Sequence, residues 1–238
     1  AIRGSAPAQI NVPRDYWTQV IDIELPPIVR FERQGGGKDA IQRAAKMLSD
    51  AKFPVILSGA GVVIGDAINE CKALAEKLDA PVCNGYQHND SFPGSHPLAV
   101  GPLGYNGSKA AMQLISKADV VLALGTRLNP FSTLPGYGID YWPKNANIIQ
   151  VDMNPDRIGL TKKVTVGIAG DAKQVAKQIF DKLSSNAGDS GREDRKNLIH
   201  QTKSAWLQTL TSLDHEDDDP GTVWNKEARE RDKDRMSP

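Results

Sequence analysis

Three short stretches of this chain are almost wholly apolar, and each opens at its carboxyl end into glycine or a polar residue. Phe53-Pro-Val-Ile-Leu-Ser leads into Gly59-Ala-Gly61, and Asp119-Val-Val-Leu-Ala-Leu leads into Gly125-Thr126-Arg127. Ile148-Ile149-Gln150-Val151 ends in Asp152-Met153-Asn154-Pro155-Asp156. A strand with one wet face alternates polar and apolar residues. A continuous run belongs to a strand buried on both faces, which is the habit of parallel sheets covered by helices. Strands alternating with helices therefore predict an α/β fold, a doubly wound parallel sheet with right-handed crossovers. Its ligand-facing loops would gather along one edge.

The intervening segments carry helical spacing. A first helix is expected over 38–51, with Ala40, Ile41, Ala44, Ala45, Leu48 and Ala51 on one stripe. A second, over 66–79, buries Ile68, Cys71, Leu74, Ala75 and Leu78; a third lies near 108–118; a fourth, over 171–184, buries Val175, Ala176, Ile179 and Leu183. Strands are expected at 53–58, 81–84, 119–124, 147–151 and 163–168.

Residues 38–184 thus form one compact domain. Before it, residues 1–15 read as a strand-like stub, and 16–37 as a linker containing Pro26-Pro27 and Gly35-Gly36-Gly37. After it, residues 185–238 read as linker and helices. Ser184 to Arg195 is polar with two glycines and is expected to be mobile. A helix over 196–213 keeps Leu198, Ile199, Ala205, Trp206, Leu210 and Leu213 on a stripe, and a short charged helix is expected over 224–231. The acidic run Asp214–Asp219 reads as a solvated loop rather than a metal site. No Met opens the chain, its first strand lacks a partner, and Ser237-Pro238 suits the start of a further helix. These ends lead us to expect a piece of a longer polypeptide.

Lys plus Arg and Asp plus Glu stand at 29 each, a formal net charge of +0, which gives no reason to propose nucleic acid or an anionic membrane as partner. No apolar run approaches the ~20 residues that span a bilayer. The first residues lack the plan of a signal peptide. Cys71 and Cys83 fall in a helical and a strand-like run, so both are expected as buried thiols, which fits a cytoplasmic protein. Two cysteines without a second pair cannot build a four-cysteine zinc site, which argues against a sirtuin-type deacylase.

Gly59-Ala60-Gly61-Val62-Val63-Ile64-Gly65 joins a strand to a helix with spacing G-x-G-x-x-x-G, one residue longer than the dinucleotide fingerprint. Either the glycines let backbone approach a phosphate at a helix N-terminus, or they serve a tight turn. Asp152, at a strand end, could accept ribose hydroxyls or cap a turn. Asp171 could meet an adenine amino group or cap the last helix. Arg127 could bind phosphate or pair with an acid. In the polar loop 86–97, His88 and Asp90 are candidates for an acid–base pair at a domain interface, although no nucleophile motif accompanies them. No residue is assigned to metal. Phe131, Tyr137, Tyr141 and Trp142, in a loop rich in proline and glycine, are candidate interface anchors.

Ala8-Gln-Ile-Asn-Val-Pro-Arg-Asp15, the Gly59–Gly61 turn, His96-Pro97, Ala118–Arg127 and Ile149–Gly159 together resemble the central region of thiamine-diphosphate-dependent enzymes, the relatives of acetolactate synthase and pyruvate oxidase. The runs Tyr86–Asp90, Gly101–Gly107, Asn129–Trp142 and Asp214–Pro220 most resemble the members that convert sulfoacetaldehyde and phosphate to acetyl phosphate and sulfite. The resemblance implies a Rossmann-like domain between pyrimidine-binding and pyrophosphate-binding domains, in a homo-oligomer acting on a small molecule. It implies thiamine diphosphate and Mg2+ as cofactors. Their activating Glu and Gly-Asp-Gly motif would lie outside this sequence, so the chain alone is not expected to turn over. Some relatives carry FAD or ADP in this domain, at positions aligned with Gly59, Gly61, Arg127, Asp152 and Asp171; in others that pocket is empty. A keto-acid reaction of the acetolactate synthase type, and a non-catalytic nucleotide-binding module, remain open alternatives.

Overall fold

The computed structural model describes residues 7–27 and 32–213. Its centre is a sheet of six parallel strands: β1 (Pro54–Ser58), β2 (Val82–Asn84), β3 (Ala99–Pro102), β4 (Val120–Leu124), β5 (Asn147–Asp152) and β6 (Val166–Ala169). They lie in the order β3-β2-β1-β4-β5-β6, all pairs parallel. The strands β1 and β4, read from their unbroken apolar runs, sit side by side at the middle with every residue buried. Ile56 pairs with Val82 on one side and with Leu122 on the other.

The helices are α1 (Lys38–Asp50), α2 (Ala60–Ile64), α3 (Ile68–Leu78), α4 (Lys109–Ile115), α5 (Ala172–Lys182) and α6 (Arg192–Leu213). In α1, Ile41, Ala44, Ala45 and Leu48 recur at helical spacing and are fully buried. α1, α3 and α5 pack together, and α4 packs with β2, β3 and α6. The connection β1→β2 moves one way across the sheet and β3→β4 the other. Right-handed crossovers therefore place α3 and α4 on opposite faces. Ser108 starts α4 by accepting the Ala111 amide at 3.2 Å.

Four expectations need correction. The stub before residue 16 is not a strand in its described part: a turn of 3-10 helix spans Arg14–Thr18, and Ile10, Val12 and Trp17 stand exposed. A lone strand has no ladder to hold it, and Pro13 has no N–H to give one. The short helix α2 occupies what reads as a turn. β3 was hidden because Gly101 and Pro102 read as breakers; as an outer strand it tolerates proline.

The fourth correction is the largest. The stretch expected as a mobile linker is folded, and α6 starts at Arg192, inside it. Ala187 is fully buried, and Gly188 packs against the backbone of Leu78. Arg195, only 1% exposed, is the largest fully buried side chain among the described residues. Its guanidinium donates to the carbonyls of Lys52 (2.6 Å), Leu78 (2.8 Å), Asp79 (3.0 Å), Gly188 (2.6 Å) and Ser190 (2.8 Å). Two of these carbonyls end α3, where the helix leaves acceptors unpaired and favours a cation. Burial pulls the Arg195 pKa below the ordinary arginine value, while the Asp79 carboxylate pulls it back up. One side chain thus ties the start of α6 to the end of α3 and to the α1–β1 connection.

The acidic run and the helix expected at 224–231 lie outside the described residues. Within them, no helix is long and apolar enough to cross a membrane.

Arg195→Met should strand several buried carbonyls and cost about 3 kcal/mol or more, with Arg195→Lys intermediate. Urea unfolding measures the loss. Limited proteolysis should then cut between 183 and 195; an unchanged midpoint and cleavage pattern would refute the role.

Candidate functional site

In an open parallel sheet the strand order turns back at one point, and the crevice at the carboxyl ends there is where a ligand enters. Here that point lies between β1 and β4. It is occupied by the chain's own backbone. The Gly61 amide donates to the Gly125 carbonyl at 2.8 Å, and the Gly59 amide to the Leu124 carbonyl at 3.1 Å. A Cβ on Gly61 would stand 2.6 Å from the Gly125 Cα, and one on Gly59 would stand 2.6 Å from the Thr126 Cβ. Gly125 itself has φ +61°, the left-handed region. The glycines therefore let two turns interlock. The Val62 amide turns back to the Gly59 carbonyl at 3.0 Å, so the start of α2 spends donors that a phosphate would need.

Asp171 is 1% exposed and committed on both oxygens. Oδ1 accepts the amides of Lys173 and Gln174 at 3.1 Å each, as a helix cap does. Oδ2 takes the Arg33 guanidinium at 3.1 Å, and Arg33 also donates to the Gly65 carbonyl at 2.8 Å. Asp152 accepts the Asn154 amide at 2.9 Å through Oδ1, closing the turn after β5. Arg127 alone of the five is exposed with its side chain making no hydrogen bond or ion pair among the described residues.

His88 and Asp90 are not brought together. The Asn84 amide group (3.2 Å) and the Ser91 hydroxyl (2.8 Å) both bond the His88 carbonyl, and no side-chain bond joins His88 to Asp90 among the described residues. His96 has a clear structural part. Its Nδ1 accepts the Leu98 amide at 3.2 Å, so Nε2 carries the proton and faces Glu76 Oε1 at 3.2 Å. Cys71 and Cys83 are free and buried; burial pushes the Cys71 thiol up to about 12, and Cys83 higher still.

Sequence reading missed two features of this edge. Gln150 sits in an apolar run, but its amide is buried and splits its bonds. Nε2 donates to the Thr126 and Arg157 carbonyls (3.2 and 3.3 Å), and Oε1 accepts the Gly159 amide (2.9 Å). It holds the turns after β4 and β5 together, and a lone polar residue in a buried strand was the available signal. The second is an aromatic face. Tyr86 lies 6.0 Å from Tyr105 and 6.3 Å from Phe131, ring centre to ring centre, and Tyr105 and Phe131 are 56% and 57% exposed. Their loops are locked: the Tyr105 amide bonds the Phe131 carbonyl (3.0 Å) and the Tyr86 amide bonds Ser132 Oγ (3.1 Å). Of the expected anchors, Phe131 and Tyr137 are exposed, whereas Tyr141 is buried and Trp142 is partly covered beneath the Lys162 ammonium, 5.0 Å from its ring.

Residues 41–179 match the family described as thiamine pyrophosphate enzyme, central domain. The chain belongs to the thiamine pyrophosphate enzyme family and carries its central domain. Over all 238 residues it is 78% identical to the probable sulfoacetaldehyde acetyltransferase of Rhizobium meliloti (strain 1021), of which it covers 40%. It is 73% identical to the sulfoacetaldehyde acetyltransferase of Roseovarius nubinhibens, again over the whole chain and 40% of that protein. A probable acetolactate synthase large subunit of Methanocaldococcus jannaschii is 36% identical over 87% of this chain and 34% of its own length. The benzoylformate decarboxylase of Polynucleobacter necessarius shares the fold, with a TM-score of 0.58 and 21% identity over 74% of this chain and 33% of that one. The chain thus spans 40% of the length of the first two relatives.

Gly61→Ala should overpack the interlock and destabilise the domain by about 1–3 kcal/mol. Gly94→Ala, where a Cβ meets nothing within 4 Å, is the control and should not lower the unfolding temperature.

Proposed function

We propose that this chain is the central domain of an acetyltransferase that converts sulfoacetaldehyde and phosphate to acetyl phosphate and sulfite. The observation that carries this reading is the 78% identity to a probable sulfoacetaldehyde acetyltransferase, unbroken over 238 residues, against 36% to an acetolactate synthase subunit. In such a polypeptide thiamine diphosphate supplies the carbanion chemistry, and protein supplies binding and orientation. Among the described residues no group of three His, Cys, Asp or Glu side chains comes together. The Gly-Asp-Gly motif that the resemblance implies for Mg2+ and the diphosphate does not occur in this sequence, so our reading assigns both groups to other parts of such a polypeptide.

The domain's own task is to space and orient those parts. The aromatic face of Tyr86, Tyr105 and Phe131, on loops locked to one another, offers a rigid surface to a flanking domain or a second subunit of a homo-oligomer. Two free buried thiols favour a cytoplasmic setting.

Sulfite release tests the reading. A polypeptide carrying this region between segments like those of its relatives should release sulfite when given thiamine diphosphate, Mg2+, phosphate and sulfoacetaldehyde; the 238-residue chain alone should not. Pyruvate consumption without sulfite would move the reaction to the keto-acid class.

A nucleotide role is narrower than five residues suggested. Asp171 and the two glycines are engaged within the fold and Asp152 is buried with one oxygen bonded, which leaves Arg127 as the exposed candidate to face a ligand at this edge. Saturating ADP or FAD should raise the melting temperature, and Arg127→Ala should abolish the rise. No shift with either would leave the domain a spacer.

A further inference from the structure

A cavity of about 750 Å³ lies between α6 and residues 96–100, which lead into and open the outer strand β3. It is floored by Leu98, Val100 and Ile199, which are buried, and its mouth is formed by Trp206, Leu207 and Leu210. Leu207 and Leu210 are 64% and 41% exposed, so the apolar wall of α6 continues into solvent. Its volume lies within the range of small-molecule sites, roughly 300–1,000 Å³.

The polar groups around the cavity are unequal. Glu76 faces His96 Nε2 at 3.2 Å and Lys72 at 3.7 Å. Asp79 takes Arg192 at 2.9 Å and Lys196 at 4.0 Å. Both acids are thus paired with cations. Lys203 is not paired with an acid among the described residues. Its Nζ meets only the carbonyls of Pro97 (2.8 Å) and His96 (3.4 Å), dipoles that orient the ammonium without neutralising it. An ammonium has three protons to donate, and these two partners leave one. Leu207 and Leu210 follow Lys203 by one and two helical turns on the same face. Among the described residues the wall therefore presents one ammonium with no carboxylate beside it, whose pKa burial lowers, and an apolar strip leading away from it.

We propose that this cavity is a binding site for a small amphipathic monoanion, a carboxylate or sulfonate carried on an alkyl chain. The head group sits at Lys203, and the chain lies between β3 and the Trp206, Leu207 and Leu210 face of α6. This assignment is independent of the proposed reaction, because its test uses binding rather than turnover.

Octanesulfonate, octanoate, octylammonium and octanol, each below its micelle concentration, are titrated into the 238-residue chain and followed by calorimetry. Trp206, whose ring lies 5.5 Å from that of Tyr137, is one of four tryptophans, and the fluorescence change that a Trp206→Phe variant loses is the signal local to the mouth. The two anions should saturate and bind at least about tenfold more tightly than the amine and the alcohol, the scale expected for one charge-assisted hydrogen bond. Lys203→Met, which keeps the apolar stem, should erase that preference, and Lys203→Arg should retain it. Circular dichroism of both variants confirms that the fold is kept. Equal binding of all four compounds, no binding of the anions, or an unchanged preference in Lys203→Met would overturn the proposal. Binding only to anionic phospholipid vesicles, with none to the free anions, would overturn it too, since the site is assigned to a free molecule.

Discussion

Two backbone turns meeting without side chains between them set the architecture of this domain. Gly59 and Gly61 follow β1, Gly125 follows β4, and the 2.8 Å bond between the Gly61 amide and the Gly125 carbonyl closes the point where the strand order reverses. Any Cβ there would fall within 3 Å of opposing backbone or side-chain atoms. β1 and β4 are buried along their whole length, so the turns above them have little freedom to separate. The loops that hang from them inherit that rigidity. Gln150 ties the next turn in by reaching the Thr126 carbonyl, and Ser132 anchors the loop after β2 through the Tyr86 amide. A parallel sheet gathers its loops on one edge; in this chain the loops are also bonded to one another.

That interlock separates two meanings of the same glycine pattern. Small residues after a strand can admit a phosphate, or they can admit another piece of backbone. Both readings require the absence of a Cβ, so spacing in the sequence cannot choose between them. The partner chooses: here Gly125, itself at positive φ, fills the space. Asp171 carries the same ambiguity. An acid before a helix is a cap wherever the next amides reach it, and its second oxygen was claimed by Arg33, 138 residues away in sequence. No local pattern announces a contact at that range.

The legible parts of the fold were those governed by a repeating physical requirement. β1, β4 and β5 declared themselves through nearly continuous apolar runs, and α1, α3 and α5 through stripes at helical spacing. β3 was illegible because an outer strand need satisfy only one neighbour and can hold Gly101 and Pro102. The segment after Lys182 was illegible for a different reason. Its composition of Ser, Asn, Gly and Asp is that of a linker, and the residue that folds it, Arg195, looks like any surface cation. Burying a guanidinium is favourable only where enough acceptors converge, and those come from three separated stretches of backbone. At the candidate site, residue types were readable while their engagements were not.

Arg195 also bears on where this domain ends in the physical sense. The family match stops at residue 179, yet the bonds to Lys52, Leu78 and Asp79 make the start of α6 part of the same packed body. From that anchor α6 runs beside the outer strand, with Ile199 buried and Lys203 bonded to the carbonyls just before β3. An outer strand left bare is a template for unwanted pairing, and a helix laid beside it is one of the ordinary protections. The helix therefore serves the sheet before it serves whatever the chain does next. Its direction is fixed by contacts at its base, while its far end keeps Leu207 and Leu210 in solvent. A helix held at its base by Arg195 and along its length by Lys203 and Trp206 presents its apolar face in a fixed place without filling the space beneath it, and that is the condition for a cavity to persist beside an otherwise well-packed sheet.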